Sequence, residues 1–415
     1  MTATNAKANP LNYASNAEAN LPAREEALSA CESGSSSREA NLPARESNLF
    51  TRRRFVQLLG VAGLAALTGG SLAGCAGGSS STSSDAPEAV ADLEQTDSVI
   101  IGVYSGDWEK SIEQAALNQF ADETGIDVQV VSGADAEWLT KLQAANGKNV
   151  PYDLLILQPD SIQKALDANL LQDLDASYVP NLDNLFDSVK TRFTQNGKLY
   201  AAGFSMGQLG IAYRTDLVKS APTSWADLWG DDFAKSLGIS PLTYSAGLQF
   251  FWSQTNGGKD IDGAFEKMEA LKPNISSYPD GAGTIQTLLQ RGDVAAVPFW
   301  DGRAFAWQAQ GQPIGFAYPT DGPVAAIASW VIPQGAPNLA NAYRLLDYLC
   351  QAEPQSKYAE LSFYGMCNKN ATYSDDFLSK AQVGEDFYNN LDWIDYSVAT
   401  PNLADWSTRW QQIMG

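Results

Sequence analysis

The chain has 415 residues, 48 acidic against 27 basic, giving a formal charge of −21, and it contains no histidine. The missing imidazole excludes Ser/His/Asp triads, Cys/His dyads and every His-ligated metal site. The acidic surface repels phosphate backbones and argues against a nucleic-acid partner.

Residues 1–50 are polar and carry an identical eight-residue segment, EANLPARE, twice, at Glu18 to Glu25 and at Glu39 to Glu46. They read as a disordered pre-region with no function in the mature protein. Next comes Thr51-Arg52-Arg53-Arg54-Phe55-Val56-Gln57, then a short apolar run ending in Leu72-Ala73-Gly74-Cys75. The twin arginine resembles the signal of the twin-arginine export pathway, and the Leu-Ala-Gly-Cys tail resembles a lipobox. That resemblance implies removal of the signal 51–74 and a lipid on Cys75, which becomes the membrane anchor. An uncleaved spanning helix is the alternative, but Gln57, Thr68, Ser71 and several glycines interrupt a run that would need about 20 strongly apolar residues. In both cases the remainder faces outside. Residues 75–97, rich in Gly, Ser and acid, read as a flexible tether with an r.m.s. span of roughly 25 Å.

The body opens with SVIIGVY, a buried-strand pattern from Ser98. A helix follows, with Ile112, Ala116 and Phe120 at helical spacing and Gly125 as its stop. Strand IDVQVV, helix AEWLTKLQAAN, strand DLLIL and helix SIQKALDAN alternate next, which predicts βαβ units and a mostly parallel sheet covered by helices. A second series starts near Leu237 with LGIS, GLQFFWSQ, GAFEKMEALK, TIQTLLQRG, DVAAVPFW and GRAFAWQAQ. The pattern predicts two α/β lobes. Beyond Cys31 in the pre-region and Cys75, only Cys350 and Cys367 remain, so no cysteine zinc cluster is available, and these two either form a disulfide or stay as buried thiols.

Several segments resemble bacterial extracellular solute-binding proteins in the same order along the chain. Phe120-Ala121-Asp122-Glu123-Thr124-Gly125-Ile126 is similar to their FxxETGI segment, and Tyr152-Asp153-Leu154-Leu155 stands where their third strand lies. Ser224-Trp225-Ala226-Asp227-Leu228-Trp229 is similar to the SWADLW segment of the spermidine/putrescine-binding members. Gln290 to Ala295 resembles the GEV segment ahead of a second-lobe strand, and Trp300-Asp301-Gly302-Arg303 the turn after it. The resemblance covers about 99–415. It implies a type II periplasmic-binding-protein-like fold, an α/β architecture of two lobes with the ligand cleft between them. Lobe I is expected at 98–205 and 320–365, and lobe II at 206–319 and 366–415. The implied activity is hinge closure around a small solute and its delivery to an ABC transporter permease, with no chemistry, no cofactor and a monomeric receptor.

In open α/β sheets ligands settle at the carboxyl ends of strands. The candidate loops are therefore Tyr104 to Trp108, Gln158 to Asp160, Phe204 to Met206, Thr243 to Ala246 and Trp300 to Arg303. Tyr104, Trp108, Tyr244 and Trp300 offer π faces, each worth about 1 kcal/mol to a cation, although core packing competes for every aromatic. Trp225 and Trp229 are assigned to packing. Trp300 and Tyr364 match aromatics that line the pocket of spermidine-binding relatives. The polyamine-binding carboxylates of that family fall here on Ser245, Leu248 and Ala328, none of them charged. Bare ammonium groups are costly to desolvate, so the pocket is poorly matched to spermidine. The charges left at the mouth are Asp107, Asp160, Asp301 and Arg303, and Arg303 suits a carboxylate or phosphonate unless it pairs with Asp301.

The expected function is a lipid-anchored receptor for a small polar solute, polyamine-like by resemblance. The alternatives are a receptor for a zwitterion, thiamine, a phosphonate or ferric iron, and a secreted glycosidase built on carboxylates.

Overall fold

A computed structural model describes residues 88–415; the expected pre-region, the expected export signal and Cys75 lie outside the described residues. Strand β1 (Ser98–Tyr104) pairs in parallel with β2 (Asp127–Gly133) on one side and β3 (Leu154–Leu157) on the other. All four side chains of β3 are buried, as expected of a parallel strand covered on both faces. Between β1 and β2, helix α1 (Asp107–Ile112) runs through a π turn (Glu113–Leu117) into α2 (Asn118–Thr124). Gly125 ends it at φ 72°, a left-handed conformation that costs glycine nothing. Helix α3 (Asp135–Ala145) follows β2, and α4 (Pro159–Asp167), with proline in its first turn, follows β3.

Helix α5 (Asp187–Arg192) and a short hairpin of β4 (Thr194–Gln195) and β5 (Lys198–Leu199) lead into β6 (Ala202–Arg214), a strand of 13 residues. Phe204 to Met206, expected as a loop, lie inside this strand and are buried. A second parallel triplet follows, in which β7 (Leu237–Gly238) pairs with β8 (Ile275–Ser277) and β9 (Ala296–Trp300). Its helices are α6 (Ser245–Ser253), α7 (Ile261–Leu271), α8 (Ala282–Arg291) and α9 (Asp301–Ala309). Strand β10 (Ile314–Ala317) returns along β6, and β11 (Val324–Val331) lies antiparallel to both β6 and β3.

The chain closes with α10 (Leu339–Leu349), α11 (Ala352–Ser362), β12 (Gly365–Met366), α12 (Asp375–Leu378), α13 (Glu385–Asn389) and α14 (Tyr396–Met414). The sheet order β2-β1-β3-β11-β6-β9-β7-β8 sets the two triplets, 2-1-3 and its counterpart 8-7-9, at opposite ends. Each triplet is the centre of one lobe, and the antiparallel pairs β11 and β6 join them. A register shift at Ala328/Ser329 interrupts that junction.

The tether expected over 75–97 ends earlier than its composition suggests. Glu88–Asp92 forms a 3-10 turn with Val90 wholly buried, and Asn341 donates its side-chain amide to the Thr96 carbonyl at 2.9 Å. One apolar side chain with a receptive surface outweighs local flexibility. Cys350 and Cys367 are free, buried thiols, and burial raises the pKa of both. The SWADLW segment is a capped turn: the Ser224 hydroxyl accepts the Ala226 N–H and Asp227 reaches back to the Ser224 N–H, with Trp225 in the core. Among the described residues no helix is long and apolar enough to cross a membrane.

Candidate functional site

The carboxyl ends of β1, β3, β7 and β9 bring the expected loops together. Tyr104 closes β1, and its hydroxyl, sealed from solvent, faces Asp135 and Gln158 without a well-aligned hydrogen bond to either. Asp135, first residue of α3, accepts the Gln158 backbone N–H on Oδ2 at 3.0 Å. Burial first and the neighbouring Asp160 charge second push its pKa up to about 6. Asp160, buried at 6% exposure, takes Lys164 on Oδ2 at 3.0 Å and the Ser245 hydroxyl on Oδ1 at 3.0 Å. That second bond runs from one lobe to the other. Tyr244 and Ser245 stand at the start of α6, and the Tyr244 ring lies 5.8 Å from that of Trp300. The Trp300 indole N–H is tied to Gln249 Oε1 at 2.7 Å, which fixes the ring at the end of β9.

Two expected contributors sit elsewhere. Trp108 is 4% exposed and packs among Tyr104, Phe204, Trp330 and Tyr358, so its π faces are spent on the core. Asp301 is 2% exposed and does not pair with Arg303. It accepts the Gln208 N–H at 3.1 Å, the Gly302 N–H at 2.8 Å and the Tyr318 hydroxyl at 3.4 Å, and burial raises its pKa to about 7. Its role is to fasten α9 to β6. Asp107 at the mouth accepts from Gln310 at 3.2 Å, a second bond between the lobes.

Arg303 is left unpaired. Among the described residues its guanidinium makes no ion pair and no hydrogen bond, whereas Arg214 and Arg409 are held by Asp216 and Asp262. Its neighbours are Tyr244, Tyr358 and Tyr364, whose pKa values burial raises and the Arg303 charge partly restrains. The Tyr364 ring lies over Gly302, where a Cβ would come within 2.7 Å of it. Ser245, Leu248 and Ala328 put no charge in this wall. Leu248 and Ala328 are buried, at 2% and 5% exposure.

Sequence reasoning missed Asp135. It is one of many acids on a helix start, and its burial comes from Tyr104 and Gln158, which are remote in sequence. A surface groove of about 400 Å³ lies beyond α4, lined by Gln163, Arg192, Trp393 and Tyr396 among others, with Arg192 stacked 3.7 Å over the Trp393 ring. The strand-end cluster is the better candidate, because it gathers buried polar atoms from both lobes. Among the described residues no group of three or more His, Cys, Asp or Glu side chains is arranged to hold a metal ion.

Comparison with known proteins agrees with this architecture. A spermidine/putrescine-binding periplasmic protein of Salmonella typhimurium is 25% identical over 271 residues, covering 63% of this chain and 76% of that protein. A protein of the same organism named for 2-aminoethylphosphonate binding is 26% identical over 329 residues, covering 76% of this chain and 90% of the other. An ABC transporter substrate-binding protein from Bradyrhizobium japonicum shares the fold with a TM-score of 0.65 at 22% identity, over 77% of this chain and all of that one. The model of the bacterial extracellular solute-binding proteins matches residues 115–384. With two parallel triplets joined through β6 and β11, and with this match over 115–384, the chain belongs to the bacterial extracellular solute-binding protein family.

Proposed function

We propose that this chain is the extracytoplasmic receptor of an ABC importer, held to the membrane by lipid on Cys75. As a monomer it closes its lobes around a small polar solute that carries an acid group. The lobes divide at 205/206, 319/320 and 365/366, with β6 and β11 as the crossing strands. The observation that carries the ligand reading is Arg303, a half-buried cation with three tyrosines around it and no carboxylate of its own. A guanidinium in that setting suits a carboxylate or phosphonate taken in a bidentate fashion. The polyamine reading, which rests on relatives named for spermidine and putrescine, has Ser245, Leu248 and Ala328 against it.

A thermal-shift screen with amino acids, phosphonates, putrescine, spermidine, thiamine and ferric citrate tests the reading. A ligand at 100 times its Kd adds about 2.7 kcal/mol of stability. The expected result is a shift with an amino acid or phosphonate that Arg303→Gln abolishes. A shift with spermidine alone, indifferent to that substitution, sinks the acid-group reading.

A further inference from the structure

Three buried polar atoms at the ends of β1 and β3 have no partner among the described residues: the Tyr104 hydroxyl, Asp135 Oδ1 and Gln158 Oε1. They belong to one cluster, since Asp135 Oδ2 takes the Gln158 N–H at 3.0 Å and Tyr104 faces both side chains. Native proteins rarely leave such atoms unsatisfied. A carboxylate oxygen and an amide oxygen can only accept, and the one hydrogen of the Tyr104 hydroxyl can serve only one of them, so the cluster is short of donors. Asp160, whose oxygens are engaged by Lys164 and Ser245, adds negative charge behind them without adding a donor. The group that fits is a cation with several hydrogens to give. A primary ammonium has three, where a water has two.

We propose that Tyr104, Asp135 and Gln158 form an ammonium-binding subsite, and that the solute is a small zwitterion with its amine there and its acid group on Arg303. The zwitterion half rests on the reading of Arg303 given above. Tyr244 is close enough to both ends to feel the Asp135 and Arg303 charges in opposite senses. The amine-recognising acid thus lies on the β1–β3 side of the cleft, opposite α6 with its uncharged Ser245 and Leu248.

Calorimetric titration of the purified protein with 2-aminoethylphosphonate, ethylphosphonate and putrescine tests this. The first two probes differ only in the amine. In the unsubstituted protein the aminophosphonate is expected to bind about 100-fold tighter than ethylphosphonate, as for a buried charge pair lost on truncation. In Asp135→Asn that preference falls below about 10-fold, with an unchanged urea midpoint at about pH 7 or above showing an intact fold. An Asp135→Asn protein that keeps the full preference overturns the subsite, as does an unsubstituted protein with no preference. Binding of putrescine but of neither phosphonate, lost in Asp135→Asn, keeps the subsite and overturns the Arg303 reading. If none of the three probes binds, the proposal falls.

Discussion

The Ser245 hydroxyl donates to Asp160 Oδ1 at 3.0 Å, joining the start of α6 in one lobe to the start of α4 in the other. Hydrogen bonds to a charged acceptor contribute about 1.5–3 kcal/mol when shielded from water. In the proposed closure it would favour the closed arrangement, helped by the bond between Gln310 and Asp107. Ser245→Ala is expected to expand the ligand-free protein in small-angle scattering and to weaken solute binding about tenfold, through a smaller closed population. An unchanged scattering curve and affinity refute the latch.

The ionisation of Asp135 makes stability depend on pH. Its folded pKa of about 6 lies above the ordinary carboxylate value, so the folded state holds the proton more tightly. The resulting stabilisation is complete below about pH 4 and is lost as pH rises through about 6. Asp135→Asn keeps an oxygen for the Gln158 N–H and carries no charge. Its melting temperature is therefore expected to pull ahead of the unsubstituted protein between pH 4 and 6.5, by an amount worth about 1–2 kcal/mol after allowance for partial exposure. Parallel melting curves across that range contradict the assignment.

Asp301 and Arg303 should separate cleanly by phenotype. Asp301→Ala strands the buried Gln208 and Gly302 N–H groups and is expected to cost about 2–3 kcal/mol, read from the urea midpoint. Arg303→Gln should change that midpoint little and remove solute binding. Loss of stability in both variants would mean that Arg303 braces the fold.

Gly302 lies under the Tyr364 ring because no side chain fits there. Gly302→Ala is expected to destabilise by about 1–3 kcal/mol through overpacking, and Tyr364→Ala in the same chain to recover most of it. Additive losses in the double variant would place the clash elsewhere.

Cys350 and Cys367 should resist alkylation in the folded protein and react with iodoacetamide only after denaturation, as mass spectrometry of the labelled peptides would show. Peptides linked through these two cysteines would show that they pair instead.

The alternation of strands and helices was legible because buried parallel strands leave unbroken apolar runs, such as LLIL in β3 and AVPFW in β9. β6 was not, since AGFSMGQLGIAYR mixes glycines with polar residues, and Phe204 to Met206 within it read as a loop. Its glycines answer to distant neighbours: a Cβ at Gly207 would meet Asp301, and one at Gly210 would meet Phe316. The strand-end rule put Tyr104, Gln158, Tyr244 and Arg303 near the carboxyl ends of strands, and the structure has them there. It could not find Asp135 or reject Trp108, because burial by residues remote in sequence decides both.

β6 is hydrogen-bonded to β9 and β10 along one stretch and to β11 and β12 along another. In the proposed closure the two lobes move as separate bodies, yet they share a single ladder, so neither can melt without breaking pairs that belong to the other. Function divides the molecule in two, and heat should not: calorimetry is expected to record one cooperative endotherm.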